Sequence, residues 1–188
     1  MPASNAVLLA LCAGSLAWHA IASRTRFRTV GRTPLRMWIV GVSFVAGATV
    51  NLAAIARADI GPRQLAFAAA GYALALGLFA WACAANRRRP LTVAFSTDIP
   101  DHLVTTGPYR FMGHPFYTAY CLTWLAGAVA SDGWIASAVA AAMIVQYVQA
   151  ARLEEAKFAA SPLAERYRAY RSRTGSRLLP VLTSISRL

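Results

Sequence analysis

Acidic residues are scarce in this chain: seven Asp and Glu among 188 residues, against nineteen Lys and Arg. Charged residues of both signs make up only 14% of the sequence, where a soluble domain carries about a quarter. Cysteine is nearly absent too. Cys12, Cys83 and Cys121 all fall inside apolar stretches, with no CxxC pair and no histidine spacing suited to zinc. A disulfide scaffold and a metal site are therefore not expected, and the three thiols read as small core or lipid-facing residues. The chain also lacks an internal repeat, a low-complexity tract, a linker long enough to separate domains and a glycine fingerprint for a dinucleotide.

What remains is apolar. Hydrophobic residues are 57% of the sequence, and four runs, 4–22, 37–56, 64–85 and 133–151, are almost free of charge. Each is about twenty residues, enough at roughly 1.5 Å per residue to cross a hydrocarbon core. A fifth run, 115–131, is shorter and more polar and meets the fourth at the turn Ser131-Asp132-Gly133. The expected fold is an all-α, polytopic membrane helix bundle in one domain, with about five transmembrane helices. Residues 1–89 hold three of them. Residues 90–188 hold a loop, a helical hairpin and a cytosolic amphipathic tail helix.

A net charge of +12 can signal nucleic acid, but its distribution points to a membrane. Segments 23–36, 86–114 and 152–188 hold seventeen of the nineteen basic residues, and 57–63 holds the other two. Five crossings put the first three segments on one side. By the positive-inside rule that side is the cytoplasm, with the N-terminus outside and the C-terminus inside, in the inner or plasma membrane if the source is bacterial. No nucleic-acid partner is expected. Basic residues at that face attract anionic headgroups, which makes membrane lipids the partner of most of them. Ala20-Ile21-Ala22 resembles a cleavage site, but Met1-Pro2-Ala3-Ser4-Asn5 lacks a basic leader, so the first run is expected to be retained.

Within the helices, Gly41, Gly47, Gly71 and Gly77 are expected to let neighbours approach, and Asn51 to bond between helices. Trp18 and His19 read as interfacial anchors. Arg87-Arg88-Arg89-Pro90 stops the third helix. The following loop, 91–114, contains Phe95, Leu103, Val104 and Tyr109, too apolar for disorder, so it should fold back on the bundle with extended pieces near 92–95 and 103–105. Ser161 and Pro162 start the tail helix as N-cap and first residue, with Leu163, Tyr167 and Tyr170 on one face.

The polar chemistry gathers in two places. One is Gly107-Pro108-Tyr109-Arg110 through Gly113-His114-Pro115-Phe116-Tyr117; the other is Arg152-Leu153-Glu154-Glu155. Such groups at membrane depth or its edge mark a functional site by default. Gln146, Gln149, Arg152 and Glu155 recur every three residues as a slowly rotating stripe. Two readings of it stand: a helix-end Arg152–Glu155 pair with glutamines bonding across the bundle, or one wall of a polar pocket facing Tyr109 and His114, in which Glu154-Glu155 accept a cationic ligand. Tyr109 and Tyr117 also suit an interfacial aromatic belt.

The stretch from Leu103-Val104-Thr105-Thr106-Gly107-Pro108-Tyr109-Arg110 to His114-Pro115-Phe116-Tyr117 resembles the signature of the isoprenylcysteine carboxyl methyltransferase family, whose superfamily includes phospholipid methyltransferases. Arg152 with Glu154-Glu155, Tyr167, Tyr170 and Arg177-Leu178-Leu179-Pro180 continues the pattern. The resemblance covers residues 90–181. It implies an integral-membrane methyltransferase that uses S-adenosylmethionine, with a lipophilic small molecule or lipid as substrate reaching the site from the bilayer. It places Leu103, Val104, Gly107, Tyr109, His114, Pro115, Tyr117, Glu154 and Glu155 at the cofactor, with no metal. Glu155, Arg177 and Arg152 are then the candidate catalytic residues: Glu155 (or His114) as a base for an amine or phenol, and the arginines for the polar end of acceptor or cofactor. One position departs from the family, which has Arg before the His-Pro pair where this chain has Gly113; Arg110 is the candidate substitute. A sterol-reductase-like NADPH enzyme and a non-catalytic membrane binding protein are the alternatives. The acceptor and the oligomeric state are left open by these residues.

Overall fold

The structure, a computed structural model, describes residues 1–28, 34–87, 91–92, 94–96 and 98–174. Helices α1 (Ala3–Thr25), α2 (Leu35–Arg57) and α3 (Pro62–Ala85) are followed by a 3-10 turn (Gly107–Arg110), then by α4 (Pro115–Ser131), α5 (Trp134–Ala159) and α6 (Ala164–Thr174). Strands β1 (Phe27–Arg28) and β2 (Leu91–Thr92) pair in parallel and tie the α1–α2 connection to the segment after α3.

Proline and glycine set the boundaries. Pro62 and Pro115 occupy the first turns of α3 and α4, where a missing N–H costs nothing. Asp132 ends α4 in the left-handed conformation, φ 46°, and Gly133 precedes α5.

Successive helices alternate in direction. Asn5 at the start of α1 donates to the carbonyls of Ile55 (2.8 Å) and Ala58 (2.9 Å) at the end of α2. Gln64 at the start of α3 donates to Val129 (3.0 Å) and Ala130 (2.9 Å) at the end of α4. Phe79 near the end of α3 meets Phe116 at the start of α4, with ring centroids 5.3 Å apart. The C-terminal ends of α1, α3 and α5 therefore collect at one end of the bundle, with the starts of α2 and α4. This is also the arginine-rich end.

Helix α4 is the core. Eleven of its 17 residues are buried, against three of 23 in α2. Small residues permit that enclosure: Gly127 receives the Asn51 side chain, Gly71 lies against Ala126, and Gly47 against Trp124 and Val139.

Several expectations change. Four helices, α1, α2, α3 and α5, are long and apolar enough to cross a membrane; α4 is too short by that measure. A helix wrapped by its neighbours needs neither a lipid-facing surface all round nor their length. Gly41 and Gly77 have nothing within 4 Å of a built Cβ, so they are not points of close approach. Asn51 is buried against α4, but its amide atoms have no hydrogen-bond partner among the described residues, so the expected interhelical bond does not form. His19 is no interfacial anchor: it shares the inner face of α1 with Leu8, Cys12 and Leu16 and packs against Phe79 and Tyr120 at 4.5 and 4.6 Å. Trp18 is partly exposed. The three cysteines are free and buried. Of the two extended pieces expected in the loop, the first is represented among the described residues by strand Leu91–Thr92, and Leu103–Thr105 is not a strand.

Candidate active site

The site lies at the arginine-rich end, where the start of α4 faces the end of α5. Pro115 opens α4 and leaves His114 just outside it, φ −132° and ψ 65°, with its ring turned toward α5. Helix α5 continues through Ala159, so Glu154 and Glu155 are carried on its last turns, level with His114. Its inner face runs Ala136, Ala140, Met143, Tyr147, Ala150, Ala151. The heptad 140, 147, 154 advances only about −20° per step, so Glu154 stays on that face.

His114 Nδ1 lies 3.3 Å from Glu154 Oε2, and Nε2 lies 3.3 Å from Glu155 Oε1. Arg171 Nη1 of α6 closes on the other Glu155 oxygen. Ionised carboxylates only accept, so both ring nitrogens donate and the ring is an imidazolium. Burial alone would lower its pKa, but the hydrogen bonds and charges of Glu154 and Glu155 outweigh it and hold the ring up at about 9. Two cations and two carboxylates thus form a neutral, half-buried cluster. Tyr117 stacks on His114 at 5.6 Å and continues to Tyr147 at 6.1 Å.

Tyr109 is buried beside the cluster. Its hydroxyl accepts from Asn86 Nδ2 at 3.0 Å, and burial pushes the phenol well above its usual pKa. Tyr170 donates to the carbonyls of Tyr109 (2.8 Å) and Met112 (3.1 Å), fastening α6 to the 3-10 turn. Phe158 of α5 stacks on Tyr167 of α6 at 4.7 Å. Ser161, the expected cap, accepts from the N–H of Leu163, and the helix proper starts two residues later than Pro162, at Ala164. The tyrosine face of α6 is thus turned onto the bundle.

Between these elements is a cleft of about 550 Å³, partly open to solvent. Its polar lining includes His102, His114 and Glu154; Phe27, Leu91 and Phe116 form an apolar wall. Leu103, Val104, Tyr109, Pro115 and Tyr117 also line it, as do Gly113, Phe158, Tyr167 and Tyr170.

Of the residues singled out from sequence, Leu103, Val104, Tyr109, His114, Pro115, Tyr117 and Glu154 line the cleft, and Glu155 joins them through His114. Gly107 does not line it. Its φ of 61° needs glycine, and a Cβ there would meet Ala85 at 2.9 Å. Gln149 and Arg152 are exposed, away from the inner face. The three-residue recurrence falls behind by about 60° per step, so the wall expected from Gln149, Arg152 and Glu155 is instead built by Glu154 and Phe158. Gly113 borders the cleft with nothing within 4 Å of a built Cβ, and Arg110 is exposed and not in the lining. Arg177 lies outside the described residues. Sequence reading missed Arg171, His102 and Phe27. Arg171 follows Tyr167 by one helical turn, and His102 is one of three histidines and adjoins Asp101, which were the available signals. Phe27 arrives only through strand pairing.

S-adenosylmethionine is implied by the sequence resemblance, and the residues present fit it. Glu154 offers a carboxylate to its ammonium, Tyr117 and Phe158 offer ring faces to a cation, and Leu103 and Val104 offer an apolar wall to the adenine.

A family model described as phospholipid methyltransferase matches residues 64–166, from α3 into the first residues of α6. No curated protein and no solved structure matches the chain. With more than half its length matched, and with the matched segment containing His114, Glu154 and Glu155, the chain belongs to the phospholipid methyltransferase family of membrane methyltransferases.

Proposed function

We propose that the protein transfers a methyl group from S-adenosylmethionine to a lipophilic acceptor that reaches the cleft from the bilayer. The observation that carries this reading is the His114–Glu154–Glu155–Arg171 cluster set in an aromatic cleft at the arginine-rich end of an apolar bundle.

When bound, the cofactor supplies an electrophilic methyl group on a sulfonium. The protein's task is then alignment and exclusion of water, which account for most of the acceleration in such transfers. Glu154 holds the cationic end of the amino-acid moiety, since a charge-assisted contact in a dry pocket is strong. His114 and Arg171 keep the two carboxylates in place and neutralise their repulsion. Leu103 and Val104 seat the adenine. Phe27, Leu91 and Phe116 take the apolar body of the acceptor, and Tyr167 and Tyr170 cover the cleft from α6. Arg152 and Arg177 are assigned, on the sequence resemblance, to the polar end of the acceptor or the cofactor carboxylate, and Gly107 shapes the loop that carries Tyr109.

The test is calorimetric. His114→Ala and Glu155→Ala are expected to abolish binding of S-adenosylhomocysteine while the bundle still melts cooperatively; unchanged affinity in both variants would sink the reading.

A further inference from the structure

His102 stands in the cleft wall with an unusual hydrogen-bonding state. Its Nδ1 lies 2.6 Å from the Asp101 carboxylate. A carboxylate can only accept, so Nδ1 carries the hydrogen, and the neutral tautomer this contact selects is the one with its lone pair at Nε2. That atom is buried and has no hydrogen-bond partner among the described residues, although His102 lines the cleft. Buried polar atoms left unpaired in a native fold are costly, and a ligand that donates to them removes the cost. An imidazole oriented by a carboxylate, in the wall of a reaction cleft and with its far nitrogen unpaired among the described residues, has the groups of a general base.

The other basic groups of the cleft are engaged. Both nitrogens of His114 donate to carboxylates; Glu155 is held by His114 and Arg171, and Glu154 by His114. Resting on the methyl-transfer reading above, we propose that His102 is a catalytic residue that takes a proton from the acceptor, and that the acceptor is therefore a protic nucleophile (a lipophilic phenol, thiol or amine) and not a carboxylate. A carboxylate is already ionised and leaves such a base nothing to do.

In the balanced step, the acceptor atom X of X–H attacks the methyl carbon in line with the carbon–sulfur bond. The X–carbon bond forms, the carbon–sulfur bond breaks, and its electron pair stays on sulfur, which passes from sulfonium to neutral thioether. The proton of X moves to His102 Nε2, leaving methylated X neutral and His102 an imidazolium beside Asp101. The methyl donor is the S-adenosylmethionine of the preceding section. Asp101 is a positioning residue.

The experiment uses the full chain in detergent. With S-adenosylhomocysteine bound, 4-nonylphenol and its methyl ether are titrated by calorimetry. Methyl-labelled S-adenosylmethionine is then supplied with 4-nonylphenol or with dodecanoate. The phenol should bind more tightly than the ether, and His102→Ala should erase that difference while keeping S-adenosylhomocysteine affinity. Transfer to the phenol should fall by about 10²- to 10⁴-fold, with Asp101→Asn in between. Equal affinity for phenol and ether in the unmodified chain, a preference that survives His102→Ala, or transfer to dodecanoate that is insensitive to it overturns the proposal. Loss of S-adenosylhomocysteine binding in His102→Ala also overturns it, because the residue is then a cofactor ligand. If the unmodified chain fails to bind S-adenosylhomocysteine, the methyl-transfer reading itself falls, and this proposal with it.

Discussion

At the scale of single residues, His114 has the most to lose. It holds its proton more tightly in the folded chain than an exposed histidine does, because two carboxylates outweigh its burial. The sign follows directly: the stabilisation is complete below the unfolded value of about 6.5 and is lost as pH rises through about 9. Thermal melts in detergent should therefore show stability falling between about pH 6.5 and 9, and His114→Gln should flatten that slope. Tyr170 is the second sensitive position. Its hydroxyl donates to two backbone carbonyls of the loop that leads to His114. Tyr170→Phe should cost about 1–3 kcal/mol and lower the melting temperature by roughly 2–4 °C for each kcal/mol in a chain of this size.

Helix α4 organises the elements around it. It is the helix with the most buried residues and the fewest requirements on length, since other helices rather than lipid cover it. The α2–α4 contact is the tightest point: a methyl group on Gly127 runs into the Asn51 carboxamide. Gly127→Ala should destabilise the bundle by about 1–3 kcal/mol. Adding Asn51→Ala should restore most of that, because it removes both the obstacle and a buried amide without a partner among the described residues. Melting the single and double variants checks this. Absence of rescue would show that the strain lies elsewhere. Helix α5 illustrates where pattern reading from sequence stops. Its inward face was not legible, since a run of Ala, Gln and Arg with two Glu is compatible with several faces. Packing chose the face that pairs Tyr147 with Trp124 at 3.1 Å and so aimed Glu154 at His114.

Across the whole molecule, alternating helices bring the Arg-rich segments to one end, and the candidate site sits there. If that end is cytoplasmic, as the positive-inside rule has it, a fluorescent protein fused at the C-terminus should glow, and an N-terminal tag should be accessible from outside the cell. The reverse result would turn the cleft away from the cytosolic pool of S-adenosylmethionine. Composition alone settles that the chain is a helical membrane protein: helices and closed barrels both satisfy the backbone within lipid, and continuous apolar runs of about twenty residues suit only helices. The His-Pro and Glu-Glu motifs, too, are legible as residues. Folding alone decided that four helices rather than five meet the length of a span, that Arg152 faces outward, and that His19 is buried. It also brought Phe27 and His102 to the cleft and Arg171 to Glu155. The physical reason is one of range: hydropathy and local motifs are summed along the chain, whereas a pocket is made by side chains far apart in sequence, whose meeting depends on which helix faces pack.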